Sequence, residues 1–494
     1  MGSGIFRSSI NNWQEENSSK HLFLFLIFLQ LAGILPPETF SSRPWKITIY
    51  NIYSALSLLW FVPAMVAQIF ALIQHWGNVS DITDITFEVA AAISNSSIGL
   101  YLMLNRKQLQ LIISKMQSTF YSYTKHLQFN RKHSSILSEA LRRNAIFSWI
   151  VIISNCSSIL IWVILPFILW HTEMKNEEEN TSNIPDQGTH WKYFCFKMWL
   201  PTKATHSPLY QILWAYQAFP IYSLVQIFTG YNLMFFSVTT FTAAHFKILA
   251  TILKDCTKTK LLSHSIKDTE QGLRNSKSSN GSVLKDTGYV LQAKEKFNKV
   301  VVLKYCERNE VAIHKNKEPE WITGTDLNES EAGIAQQRYE TADYLVRCIR
   351  YHQALLEFCD DVNTLYSPLL FISFYMDLFM MCTTVFQVTL GSEDQSYFKF
   401  IIAAISVWVP ILLTCCYGEH LTEQSLAVQE AAYECSWYNS SPRFKNHLLF
   451  LIMRAQKPVR LTAGNFFAVS LEGFSSIAHT VYAYLTVLRQ MHDS

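Results

Sequence analysis

Seven runs of mostly apolar residues dominate the chain, at roughly 47–74, 83–104, 145–170, 208–238, 366–390, 398–418 and 464–489. About 20 such residues cross a bilayer core as a helix. Hydrocarbon offers the backbone no hydrogen bonds, so spanning segments must be helices or closed barrels. The runs therefore predict an all-α polytopic membrane protein with seven transmembrane helices. Composition agrees. Charged residues make up 16% and aromatic residues 14% of the 494 positions, where a soluble chain carries about 25% charge. An eighth run, 21–35, is shorter and stops at Pro36 and Pro37. Its length suits a re-entrant or interfacial helix, with a signal-type apolar core as the alternative.

Several function classes find no support. A net charge of +3 gives no reason to expect a nucleic acid partner. No phosphate-binding glycine loop, zinc-type cysteine pair or His/Asp/Glu cluster near a membrane face is visible, so no enzyme, catalytic residue, metal or cofactor is expected. The ten cysteines are spread out, with Cys195 alone in a sizeable outer loop, and read as packing residues.

Lys and Arg set the orientation, because they concentrate on the cytoplasmic side. The 1–46 segment and the loops 105–144, 239–365 and 419–463 hold 35 of the 41 basic residues. Leaving out the long 239–365 loop, the balance is still 17 against 6. The N-terminus is expected in the cytoplasm and the C-terminus outside, the reverse of a G-protein-coupled receptor. Asn78 and Asn180 head sequons in the outer loops and are glycosylation candidates.

The domain reading follows. Residues 1–46 form a cytoplasmic N-terminus containing the 21–35 helix, and 47–254 hold helices one to four. Segment 255–336 is lysine- and serine-rich with no sustained period. It reads as a mobile cytoplasmic insertion, or else as a regulatory segment with phosphorylated serines or a bound partner. Residues 337–418 hold a helical extension and helices five and six. In that extension Leu345, Cys348, Ile349, His352, Leu355, Leu356, Cys359, Val362 and Leu365 repeat at helical spacing. Their stripe needs a partner. With the helices expected in 419–463, it suggests a cytoplasmic anchor bundle where subunits meet.

The last span, in 464–494, is two-faced. At about 100° per residue, Glu472, Ser476, His479, Ala483, Thr486 and Gln490 fall within about 40° of one line. Phe474, Ile477, Val481, Leu485 and Leu488 gather opposite. Polar groups in hydrocarbon are costly, so the edge faces water or protein. A pore-lining helix and a helix packed inside one subunit both satisfy that demand.

Three stretches carry a family resemblance: "RCIRYHQALLEFCDDVNTLYSP", "YGEHLTEQSLAVQEAAYECSWY" and "FLIMRAQKPVRLTAGNFFAVSLEGFSSIAHTVYAYLTVLRQ". They resemble insect odorant receptors, with Trp437, Tyr438, Gln456, Lys457, Pro458, Gly464 and Phe474 at matching positions. The resemblance implies a multi-pass receptor of the cell membrane, expected in sensory neuron dendrites. It implies a non-selective cation channel opened by small volatile ligands. Such channels assemble as tetramers with a co-receptor subunit, the seventh helices surrounding a pore for permeant cations. It places an apolar gate at Val487 and Met491, about 60° and 100° from the polar line. The family's glutamine in the seventh span falls on Gln490. Ala483 before Tyr484 departs from the gustatory receptor pattern, and the long 255–336 loop is similar to that of the co-receptor itself. Gustatory receptor and co-receptor are therefore the alternatives within the class. A non-conducting chemosensory receptor and a transporter are those outside it, although the broken helices and buried midplane charges of transporters are not clearly present.

The family's ligand site lies in the outer half of each subunit. By depth, the candidates are Phe87 and Ala91, then Ser157, Ile161 and Trp162, then Trp214, Tyr216 and Phe219, then Met381 and Val385. The orientation has a direct test. An epitope tag at the C-terminus is expected to stain on intact, unpermeabilised cells, and staining only after permeabilisation would reverse the topology.

Overall fold

The computed structural model describes residues 24–37, 40, 43–120, 131–179, 193–200, 204, 206–256, 329–390, 396–438 and 440–493. Asn180 and most of the 255–336 segment lie outside the described residues. The helices are α1 (Phe25–Leu31), α2 (Pro44–Leu59), α3 (Phe61–Gln74), α4 (Val79–Leu104), α5 (Arg106–Ser114), α6 (Arg131–Ile159), α7 (Leu165–Glu179), α8 (Leu209–Asp255), α9 (Glu329–Leu390), α10 (Ser396–Glu434), α11 (Pro442–Ala455) and α12 (Leu471–Asp493). A hairpin of β1 (Thr462–Ala463) and β2 (Phe467–Ala468) precedes α12. A π-helical turn over Leu160–Ile164 joins α6 to α7.

Six helical units are long and apolar enough to cross a membrane among the described residues. They are Pro44–Gln74, Val79–Leu104, Lys132–Thr172, Leu209–Asp255, Thr341–Thr389 and Lys399–Glu434. The seventh expected span forms as α12, whose 23 residues reach about 35 Å. Its polar edge keeps it out of the apolar set. Helix α8 is the hub. From Gln226 to Leu253 almost every side chain is buried, as a helix apolar on all sides requires. It packs on α10, α6, α1, α9 and α4.

Proline shapes the spans through its missing N–H. Pro63 leaves the Leu59 carbonyl without its helical donor, and the helix breaks at Trp60. Pro220 does the same to Tyr216 inside α8, and the Trp60 indole donates to that carbonyl at 3.2 Å. Pro166 follows the π turn, whose Val163 carbonyl accepts from the Trp214 indole at 3.0 Å. The Trp60 bond meets a carbonyl that hydrocarbon would leave unmet and joins two spans, and the Trp214 bond joins α8 to the π turn.

The 21–35 run forms the short helix α1, buried in the fold through Phe25 and Leu29. Gly33 (φ 79°) ends it in the left-handed region. The last carbonyls find donors on neighbouring helices. Tyr50 Oη reaches Leu35 and Gln30 at 2.7 and 2.9 Å, Tyr53 reaches Leu31, and Arg106 reaches Gly33 at 2.8 Å. Gly230 of α8 sits against Leu29, where a Cβ would meet the leucine at 2.9 Å.

Two boundaries need correction, and the stripe finds its partner. The long fifth helix starts at Glu329, eight residues before the expected 337, and its 62 residues span about 93 Å. Helix therefore already occupies the end of the 255–336 segment. The stripe from Leu345 to Leu365 has its partner within the chain. Leu345, Cys348, His352, Leu355, Cys359, Val362 and Leu365 are all buried, in a core shared with α8, α10 and α11. What the bundle exposes instead is Tyr433, Tyr438, Leu449, Phe450 and Met453. The seventh helix starts at Leu471 and not at 464, because Gly464 (φ 61°) and Asn465 (φ 62°) make a tight hairpin turn. Gly464 N–H donates to the Ser367 carbonyl at 2.9 Å and Thr462 N–H to Asn363 Oδ1 at 2.9 Å, which anchors the hairpin on α9.

The described cysteines are free thiols, most of them buried, Cys195 included. Gly418 of α10 is where the hairpin's exit strand rests, since a Cβ there would lie 2.4 Å from the Val469 carbonyl oxygen. Gly418→Ala is expected to destabilise the protein by about 1–3 kcal/mol. This would be read as a lowered Tm of the detergent-solubilised chain. An unchanged Tm would mean that the hairpin does not seat on α10 as described.

Candidate functional site

A cavity of about 190 Å³ lies among the spans. That is below the roughly 300–1,000 Å³ of drug-sized pockets and suits a small molecule. Its wall is mainly apolar. Phe61 of α3 and Phe196 of the 193–200 segment contribute rings 6.2 Å apart. Phe87 of α4 and Trp162 of the π turn contribute a second pair at 6.1 Å. Ala91 and Ala92 of α4 and Ala403 of α10 keep the space open by being small. Helix α8 adds Ile221, Leu224, Val225 and Phe228, and α9 adds Met380.

The polar part of the wall is concentrated. Gln68 of α3, Glu88 and Asn95 of α4, Asn155 and Ser158 of α6, Asp377 of α9 and Ser406 of α10 all line the cavity. Gln68 Nε2 donates to Glu88 Oε2 at 3.0 Å, and the Lys197 backbone N–H donates to the same oxygen at 3.1 Å. Asn95 Nδ2 donates to the Ala91 carbonyl at 2.8 Å, and Asn155 Nδ2 to Thr229 Oγ1 at 2.7 Å. Asp377 accepts from Ser373 Oγ at 2.8 Å. Ser158 and Ser406 lie 3.0 Å apart. Two span carboxyl groups, Glu88 and Asp377, thus border one cavity.

Above the cavity, Lys197 Nζ bridges Asp81 Oδ1 at 2.6 Å and Asp84 Oδ2 at 2.5 Å. Burial lowers the Lys197 pKa, but attraction to Asp84 and its bonds to both aspartates outweigh this, and the net shift is upward. The loop is therefore pinned as a cation over the head of α4. At the start of α4, Asn78 is exposed and caps the helix, accepting from Asp81 N–H at 3.4 Å and donating to its carboxylate at 2.9 Å.

The ten depth-based candidates separate by helix face. Phe87, Ala91 and Trp162 line the cavity, whereas Ser157, Ile161, Trp214, Tyr216, Phe219, Met381 and Val385 do not. Ser157 bonds back to the Ser154 carbonyl, and its neighbour Ser158 takes the lining position. Trp214 packs on Phe167 at 4.8 Å, and Tyr216 and Phe219 pack on Trp60 at 5.8 and 5.4 Å. Met381 is buried in the main core, with Val385 packed against that core. A neighbour on a helix points about 100° away, so correct depth with wrong rotation misses the wall. The overlooked signal was polarity inside apolar runs, at Gln68, Glu88, Asn95 and Asp377.

Helix α12 carries the second candidate feature. Glu472, Ser476, His479, Ala483, Thr486 and Gln490 are all exposed, and Val487 is 53% exposed. The side chain of Met491 lies outside the described residues. The opposite face turns inward, with Ile477 and Val481 buried and Phe474 packed edge-on against Trp408 at 6.3 Å. Thr486 donates to the Ala483 carbonyl at 2.7 Å, so its hydroxyl is satisfied without leaving the exposed edge.

Comparison with known proteins gives a consistent result. Residues 78–482 match the family described as 7tm Odorant receptor. Odorant receptor 67c of Drosophila melanogaster is 32% identical over 155 residues, covering 31% of this chain and 38% of that protein. Odorant receptor 10 of Aedes albopictus is 27% identical over 165 residues, covering 33% and 43%. The matched part thus spans about two fifths of these relatives. The fold resembles the insect olfactory receptor OR5 from Machilis hrabei, solved alone and in complex with eugenol. The TM-scores are 0.67 and 0.66 at 14% identity, covering 97% of this chain and 100% of that one. The match across most of the chain, on a fold of this kind, makes the chain a member of the 7tm odorant receptor family.

Proposed function

We propose that the chain is the ligand-selective subunit of an odorant-gated, non-selective cation channel, assembled with a co-receptor as a heterotetramer in the membrane of sensory dendrites. One observation carries the reading. Helix α12 packs Phe474, Ile477 and Val481 on its own chain and leaves a polar edge uncovered along its length. Within a bilayer that edge requires water or other subunits. Four such edges around a common axis supply both, as a wet path for cations.

In this reading the N-terminus is cytoplasmic, and Asn78 and Asn180 face outward as glycosylation sites. Val487 and Met491 form an apolar ring that closes the path by dewetting, with Gln490 beside it. The cavity beside Phe87, Ala91 and Trp162 is the odorant site. A relative of the same fold binds eugenol, and a small organic volatile is the matching class of ligand here. Coupling runs through α10. Val407 lines the cavity, and the next residue, Trp408, packs on Phe474 of α12. A ligand that displaces α10 therefore moves the helix that carries the gate. The bundle's exposed face, Leu449, Phe450 and Met453, is the surface offered to neighbouring subunits.

Whole-cell recording tests the proposal. Volatile-dependent cation current is expected with the co-receptor present, and its absence despite surface expression would defeat the channel reading. Val487→Glu is expected to raise leak or alter gating, and unchanged currents from well-expressed mutant channels would remove Val487 from the gate. Trp408→Ala is expected to cut maximal current while ligand binding persists. Equal loss of binding would place Trp408 in the site and not in the coupling path.

A further inference from the structure

The cavity is one-sided in its hydrogen bonding. Gln68 is fully buried, and its Oε1 has no partner. Asn95 Oδ1 is also buried without a partner. Both side chains line the cavity. Their orientations are fixed by what the amide nitrogens do. Gln68 Nε2 points at a carboxylate oxygen of Glu88, and Asn95 Nδ2 at a backbone carbonyl. Turning Asn95 over would set oxygen against the Ala91 carbonyl oxygen, so its open atom is an acceptor, and in the orientation that donates to Glu88 the open atom of Gln68 is an acceptor too.

Glu88 and Asp377 border the space, and the Lys197 ammonium is bonded to Asp81 and Asp84. Each wall amide and the Ser158 hydroxyl already places one hydrogen on an acceptor, whereas Gln68 Oε1 and Asn95 Oδ1 have no partner at all. Asn155 bonds to Thr229, Gln68 to Glu88, Asn95 to Ala91, and Ser158 to the Ser154 carbonyl at 3.1 Å. A buried acceptor left unmet is costly, so the site gains most from a ligand that donates.

Taking this cavity as the odorant site proposed above, we propose that it selects small, largely apolar molecules with a hydrogen-bond-donating head, an alcohol, phenol or amine. Esters, ethers and ketones of the same skeleton are the disfavoured class. The head lies between Gln68 Oε1 and Asn95 Oδ1, and the apolar tail packs against Phe87, Trp162 and Ala403.

The test is ligand-induced stabilisation of the full-length, detergent-solubilised chain, which does not depend on any current. Hexanol is compared with its isomer methyl pentyl ether, and benzyl alcohol with benzaldehyde, while hexylamine separates an amine donor from a hydroxyl. The donor of each pair is expected to shift Tm at about tenfold lower concentration, the size of one added hydrogen bond. Asn95→Leu and Gln68→Met are each expected to shrink that ratio toward one. Equal potency within pairs on the unmodified chain, or no shift with any donor, overturns the proposal. So does a preference that survives both variants. Ala91→Phe, which fills the cavity, keeps the two readings apart. If pairs are equal but Ala91→Phe abolishes both shifts, the ligand class falls and the odorant site stands. If shifts persist unchanged in Ala91→Phe, the site itself is elsewhere and both readings fall.

Discussion

Hydrocarbon leaves no backbone carbonyl to water, and the arrangement of this protein meets that demand at several points where a helix is interrupted or ends. The carbonyl freed by Pro220 is met by Trp60, the π-turn carbonyl of Val163 by Trp214, and the end of α1 by Tyr50, Tyr53 and Arg106. Each of these bonds ties one element to another at a fixed height. The first two tie the break between α2 and α3 and the π turn after α6 to α8, beside the cavity. The irregular turns are therefore part of how the site is built, and Trp162, inside the π turn, is itself a wall residue.

Much of the fold was legible in the sequence because its signals are long. Apolar runs of about 20 residues, and a stripe repeating from Leu345 to Leu365, survive any small error in boundary. Boundaries themselves depend on local chemistry. Gly464 and Asn465 turn the chain back where apolar content alone continued a helix. The stripe also announced that it would be covered without saying by what. Burial by α8, α10 and α11 of the same chain could not be read from periodicity.

The site was harder to read than the fold. Depth in the bilayer can be counted from a span's end, and this placed Phe87, Ala91 and Trp162 at the cavity. Rotation about the helix axis depends on the neighbours. Met380 and Met381 sit at one depth, yet the first faces the cavity and the second the core. Polar side chains within apolar spans were the better guide to rotation, since Gln68, Glu88, Asn95 and Asp377 have few tolerable places to point. The amphipathic last helix is the complementary case. Its two faces were separable by angle alone, and its apolar face is the one that packs on its own chain.

Helix α9 has a consequence beyond packing. It carries cavity residues Asp377 and Met380 near one end and the bundle residues from Leu345 onward at the other. These are separated by about 30 residues, or roughly 45 Å. A continuous rod of that length works as a lever. A tilt of about 3° at the cavity sweeps the far tip through roughly 2 Å, comparable to the small helix shifts that reset subunit contacts in switching proteins. Pro368, between the two regions, sits where such a beam would flex. A shift of α9 at the cavity would thereby carry to the opposite end of the molecule.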